Sequence, residues 1–166
     1  MTIMATNKKA NQIDLSDDEI PQKGLKAQYA ALPFRMNKSG QPEVLLITSR
    51  ETKRWVIPKG WPMSNKLPCQ TAQIEAYEEA GILGNVRFEP VGFYRYLKQR
   101  IKKPVWCRVA VFPMTVEQQC ATWPEKDERI GRWFSLEEAA KAVHEPELAD
   151  IIRSFRPGKT LDTASH

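Results

Sequence analysis

The chain has 166 residues, 42% of them hydrophobic and 27% charged, with a formal net charge of +5. That length suits one domain with a full core, and the balance is that of a globular protein rather than a disordered or fibrous one. No apolar run approaches the roughly 18 residues of a membrane span, and Cys69, Cys107 and Cys120 are too scattered for a disulfide framework or a zinc site. No basic segment leads into an apolar stretch as in a secretory signal, so the cytoplasm is the expected compartment.

Residues 1–24 are polar, carry Asp17-Asp18-Glu19 and Pro21, and keep no sustained period, which predicts a loosely attached tail. The pattern then changes. Gln28–Arg35 and Glu43–Thr48 read as strands joined by a turn at Asn37-Lys38-Ser39-Gly40. Trp55-Val56-Ile57 is a short apolar strand ended by Pro58, and Lys59–Leu67, with Gly60 and Pro62, reads as a loop. Pro68 suits the first turn of a helix that closes on Gly81 as its C-cap. Leu67 falls at the N-cap, where a small polar side chain is usual, so this helix start is under-capped. Val86–Lys98 and Val105–Val116 read as two longer strands forming a hairpin with a basic tip. Arg132-Trp133-Phe134 is a short strand, and Ser135 with Glu138 forms a capping box. A last helix covers about 147–155, before a loose tail at 156–166. This order predicts an α/β or α+β fold over residues 25–155, with helices packed on a mixed sheet.

Two charge patterns ask for a function. Glu75, Glu78 and Glu79 stand at i, i+3 and i+4, on one face near the C-terminus of the first helix. The macrodipole favours cations at that end, and like charges at this spacing repel. A helix selected for stability alone would avoid the arrangement, whereas a divalent cation with carboxylate ligands would resolve it. The second pattern is basic. Residues 1–24 carry three lysines against four acids, so the remainder carries +6. Arg95, Lys98, Arg100, Lys102, Lys103 and Arg108 crowd into one stretch without an acid. Such lysines either blunt a sheet edge against association or attract a polyanion, phosphate groups ahead of nucleic acid.

Gly60 through Ile82 resembles the Nudix box, G-x5-E-x7-R-E-U-x-E-E-x-G-U with U an aliphatic residue. In register, Gly60 opens the box and Glu75, Ala76, Glu78, Glu79, Gly81 and Ile82 fill its helix. Lys66 stands where the first glutamate belongs and Ile74 where the arginine belongs. The lead-in Arg54-Trp55-Val56-Ile57-Pro58-Lys59-Gly60-Trp61-Pro62 and the closing Ile130-Gly131-Arg132-Trp133-Phe134 are similar to the diphosphoinositol polyphosphate phosphohydrolase group.

The resemblance implies an α/β/α sandwich with a mixed β-sheet. It also implies a metal-dependent pyrophosphohydrolase cleaving a diphosphate linkage by water attack. The substrate class would be a nucleoside diphosphate derivative, a dinucleoside polyphosphate or an inositol pyrophosphate. Carried over by position, Glu75, Glu78 and Glu79 are the catalytic and metal-holding residues, with the Gly60 carbonyl as a further ligand and magnesium or manganese as the cofactor. Glu75, Glu125 or Glu128 would accept the proton of the attacking water. Arg54 and Lys59, then Arg35 and Arg50, are the expected phosphate-binding cations. The expected partner is a small phosphorylated substrate, with no membrane and with nucleic acid the weaker reading; oligomeric state leaves no mark in the sequence. Ile74 cannot neutralise the carboxylates as an arginine would, so Ile74→Arg is expected to raise turnover. A domain that binds a nucleotide or polyphosphate without cleaving it is the alternative.

Overall fold

Alternating side chains along two neighbouring strands set the layers. In β1 (Lys26–Met36), Ala30, Leu32 and Phe34 enter one core while Tyr29 and Ala31 face another. Its parallel neighbour β7 (Val105–Gln119) divides the same way, with Val109 and Val111 on one side and Ala110, Phe112 and Met114 on the other. A sheet apolar on both faces needs a layer on each. Helix α1 (Pro68–Ala80) covers the first face with Cys69, Ala72 and Ala76. Helices α2 (Leu136–Ala142) and α3 (Pro146–Ser154) cover the second with Ala139, Leu148 and Ile152. The computed structural model describes residues 20–99 and 102–158, and the result is the expected sandwich on a mixed sheet. Most of both predicted tails, and Arg100 in the basic stretch, lie outside the described residues.

Sheet topology opens the site. Strand β2 (Pro42–Thr48) pairs with β1 only from Phe34–Val44 to Met36–Pro42, and the two strands then part. The gap is filled by two very short strands. β3 (Trp55–Val56) lies against Ile47 and Thr48 of β2, and β4 (Lys59–Gly60) lies against Tyr29 and Ala30 of β1. The other edge of β2 is taken by β8 (Gly131–Ser135).

Two elements differ from the sequence reading. Lys59–Gly60 has no apolar alternation and reads as loop, yet its backbone pairs with β1. The run read as one strand from Val86 divides into β5 (Ile82–Val86) and β6 (Gly92–Lys98), both antiparallel to a longer β7. Between them Arg87 and Val91 donate backbone hydrogen bonds to Pro113 and Val111 of β7, so the break at Pro90 is a detour along a single neighbour. The β6–β7 hairpin is as predicted, but its cations have different fates. Arg95 pairs with Glu147 of α3 at 2.9 Å and the Arg108 guanidinium sits 3.7 Å from the Phe93 ring centre.

Candidate active site

Three segments converge where β1 and β2 separate. β4 delivers Lys59 and Gly60, and the second half of α1 delivers Glu75 and Glu79. The third is the connection from β7 to β8, which folds back over the end of α1. Cys120 donates its backbone N–H to the Gly81 carbonyl at 2.7 Å and Glu125 donates to the Glu78 carbonyl at 3.0 Å. Gly81 adopts the left-handed conformation (φ +66°), and a Cβ there would fall 2.2 Å from the Trp123 ring. One glycine therefore ends the helix and seats the tryptophan that anchors the connection, bringing Glu125 and Arg129 to the cleft.

The carboxylates are crowded and partly dehydrated. Glu75 lies against Gly60 so closely that a Cβ on that glycine would sit 2.2 Å from its Oε1. Burial first, then the charges of Glu79 and Glu78 and a hydrogen bond with Glu79, push the Glu75 carboxyl up to about 8. Glu79 is only 6% exposed. Its Oε2 accepts the Lys59 backbone N–H at 2.8 Å and its Oε1 lies 2.8 Å from Arg129 Nη2. Burial raises the proton affinity of Glu79, and Arg129 and Lys59 oppose the rise. The Lys59 ammonium, on a half-buried residue and 5.1 Å from the Tyr96 ring centre, is pushed down by desolvation against the pull of Glu79 and Glu145. Arg129 donates to Glu125 Oε1 through Nε at 3.2 Å and Nη2 at 3.0 Å, and to the Thr48 carbonyl through Nη1 at 3.2 Å.

The cleft, of about 1400 Å³, is lined by Gly60, Glu75, Glu79, Arg50, Arg54 and Lys59, with Trp61 on its wall. Glu125 lines it while Glu128 does not. Glu78 is also outside the lining; it holds the β7–β8 connection through its carbonyl and adds its charge to the field on Glu75. Arg35 is a correction. Its guanidinium pairs with Glu43 at 3.1 Å and lies 4.1 Å from the Trp133 ring centre, because it extends from the far end of β1 rather than the end beside β4. Lys66 is exposed and outside the cleft. Arg129, which the sequence reading did not single out, also lines the cleft. Its i,i+4 spacing from Glu125 was visible, but its pairing with Glu79 is a tertiary contact.

Among the described residues, no three acidic, histidine or cysteine side chains converge into a ready-made metal cage. The donor chemistry nevertheless fits a hard divalent cation. The ligands on offer are oxygens, Glu75 feels the charges of Glu79 and Glu78, and Gly60 leaves the space that lets Glu75 reach the β4 backbone.

The NUDIX domain family matches residues 26–155. The chain belongs to the Nudix family and is a hydrolase acting on phosphorus-containing anhydrides. It is similar to diphosphoinositol polyphosphate phosphohydrolase 3-alpha of Mus musculus, 33% identical over 156 residues covering 90% of this chain and 87% of that protein. It is also similar to Nudix hydrolase 16, mitochondrial, of Arabidopsis thaliana, 28% identical over 142 residues and covering 78% of each chain. The crystal structure of a C. elegans Ap4A hydrolase shares the fold, with a TM-score of 0.57 at 19% identity over 78% of this chain and 94% of that one.

Proposed function

We propose that the cleft hydrolyses a diphosphate linkage in a small, highly phosphorylated molecule, a dinucleoside polyphosphate or an inositol pyrophosphate, by attack of water. The observation that carries the reading is the pairing of two walls in one cleft. Glu75, Glu79 and Glu125 line it with carboxylate oxygens, and Arg50, Arg54, Lys98, Lys102 and Lys103 line it with cations. The relative from Mus musculus supports the substrate class by its name.

The chemistry asks for both walls. A diphosphate resists hydrolysis because its own charge repels the nucleophile. Magnesium or manganese, held by Glu75, Glu79 and the Gly60 carbonyl, would neutralise that charge and acidify a water. Glu78 belongs to the same proposed set as a source of negative charge beside Glu75. The chain's cations bind and orient the phosphates: Arg50 and Arg54 with planar forks, the lysines as point charges. Glu125 accepts the water's proton, its carboxylate gripped at Oε1 by Arg129 and, at 3.5 Å, by Arg50. A sugar nucleotide, with two phosphates, would leave much of the basic wall unused.

A phosphate-release panel with both metals at mildly alkaline pH tests the reading. Substrates with longer phosphate chains should be cleaved fastest. Glu125→Gln should lower kcat by about 10²-fold or more while metal affinity stays. Glu75→Gln should lower both. The box position held by Ile74 favours a second reading, a domain that binds such ligands without cleaving them. Thermal stabilisation by the panel with no phosphate release would select it.

A further inference from the structure

We infer that Arg129 takes the place of the arginine absent from the box, as a positioning residue that holds Glu79 and Glu125 from the β7–β8 connection instead of from α1. The inference rests on the proposed reading of these carboxylates as the reactive end of the cleft. Position 74 carries a half-buried isoleucine, which can neutralise nothing. Glu79 on the same helix is almost wholly buried, and a buried carboxylate without a counter-charge is strongly unfavourable. The guanidinium of Arg129, 10% exposed, lies 2.8 Å from it.

The geometry is that of a built clamp. A guanidinium carries five N–H donors in a rigid fork. Here Nη2 bridges Glu79 and Glu125, Nε makes a second bond to Glu125, and Nη1 bonds the Thr48 carbonyl. Thr48 is tied in turn to the residue after the arginine. Its N–H donates to the Ile130 carbonyl at 2.9 Å and its Oγ1 accepts the Ile130 N–H at 2.9 Å. The fork is thus fixed by β2 on one side and reaches two carboxylates on the other. A lysine has neither the number nor the spread of donors to do this. Supplied from the connection, the charge also couples Glu125 to the box helix, so the proposed proton acceptor and the buried carboxylate are set by one side chain. The expectation for Ile74→Arg changes accordingly: the counter-charge is already present.

A double-mutant cycle on the metal-free protein tests this, using Arg129→Met and Glu79→Gln separately and together, read as melting temperature. Arg129→Met should lower it by about 10 °C in the native background. In the Glu79→Gln background the same change should cost about half as much or less. Equal losses in the two backgrounds would mean that Arg129 only staples the connection to Thr48, and would overturn the inference. If Arg129→Met does not fold, Arg129→Lys, which keeps the charge and loses the fork, enters the same cycle. Ile74→Arg supplies a second readout: turnover should stay within about threefold of wild type, whereas a gain of tenfold or more, about 1.4 kcal/mol in the barrier, would show an unfilled role and overturn the inference. The cycle needs neither metal nor substrate, so failure of the hydrolase reading leaves it interpretable.

Discussion

At Glu75 a proton competes with a cation. Its folded-state value of about 8 lies above the ordinary 4.5, so folding takes up a proton between those values. Stability of the metal-free protein should therefore fall as pH rises from about 5 to about 8 and level off above. Glu79, also raised, acts in the same direction. Melting curves across that range should show the decline, and Glu75→Gln should flatten much of it. Magnesium should stabilise more at pH 8.5 than at pH 6.5, since binding must displace the proton; a metal-induced shift independent of pH would contradict this. Gly60 gives a second expectation. A methyl group there meets Glu75 Oε1, Cδ and Cγ at 2.2, 2.3 and 2.8 Å, all atoms of a flexible side chain. Gly60→Ala should therefore fold with about 1 kcal/mol of loss or less, while metal affinity measured by titration drops about tenfold or more. Gly60, Glu75 and Glu79 were legible because box spacing and helical period place them. Arg129 was not, because nothing local in the β7–β8 connection points toward α1.

Helix α1 is built unequally at its two ends. At its start Leu67 is 47% exposed and offers no acceptor; the side-chain help comes from Gln70 Oε1, which accepts the Leu67 N–H at 2.8 Å. Leu67→Asp should stabilise the protein by about 0.5–1 kcal/mol, through a true N-cap and a favourable dipole interaction, without touching activity. Urea denaturation measures it. The end of the helix has no such slack. Gly81→Ala places a side chain at φ +66° and drives it into Trp123, so about 2–3 kcal/mol should be lost. Activity should fall further than stability does, because the connection carrying Glu125 and Arg129 rests on that contact. Element type was readable wherever period and punctuation agreed, as in α1, the β6–β7 hairpin and the Ser135 cap, whose Oγ accepts the Glu138 N–H at 3.2 Å. It was not readable for β4, whose two residues are strand only because β1 offers an open edge where β2 departs.

Across the whole molecule the charge is sorted rather than spread. The cations that the outer elements use, such as Arg95 on Glu147 and Arg35 on Glu43, are paired away from the cleft. Lys98, at the end of β6, and Lys102 and Lys103, just before β7, instead line it. Their action is collective and long-ranged, so it should scale with the charge of the ligand and be screened by salt. Replacing all three by alanine should raise KM about tenfold or more for a substrate with four or more phosphates. For one with two, the rise should be about twofold, with kcat near wild type in both cases. Raising ionic strength from about 0.05 to about 0.5 M shortens the screening length from roughly 14 to roughly 4 Å. The wild-type KM for the longer substrate should then climb toward that of the triple variant. A loss of kcat with KM unchanged would place the lysines at the reacting phosphates; equal losses for short and long substrates would remove the basis for assigning a polyphosphate to this cleft.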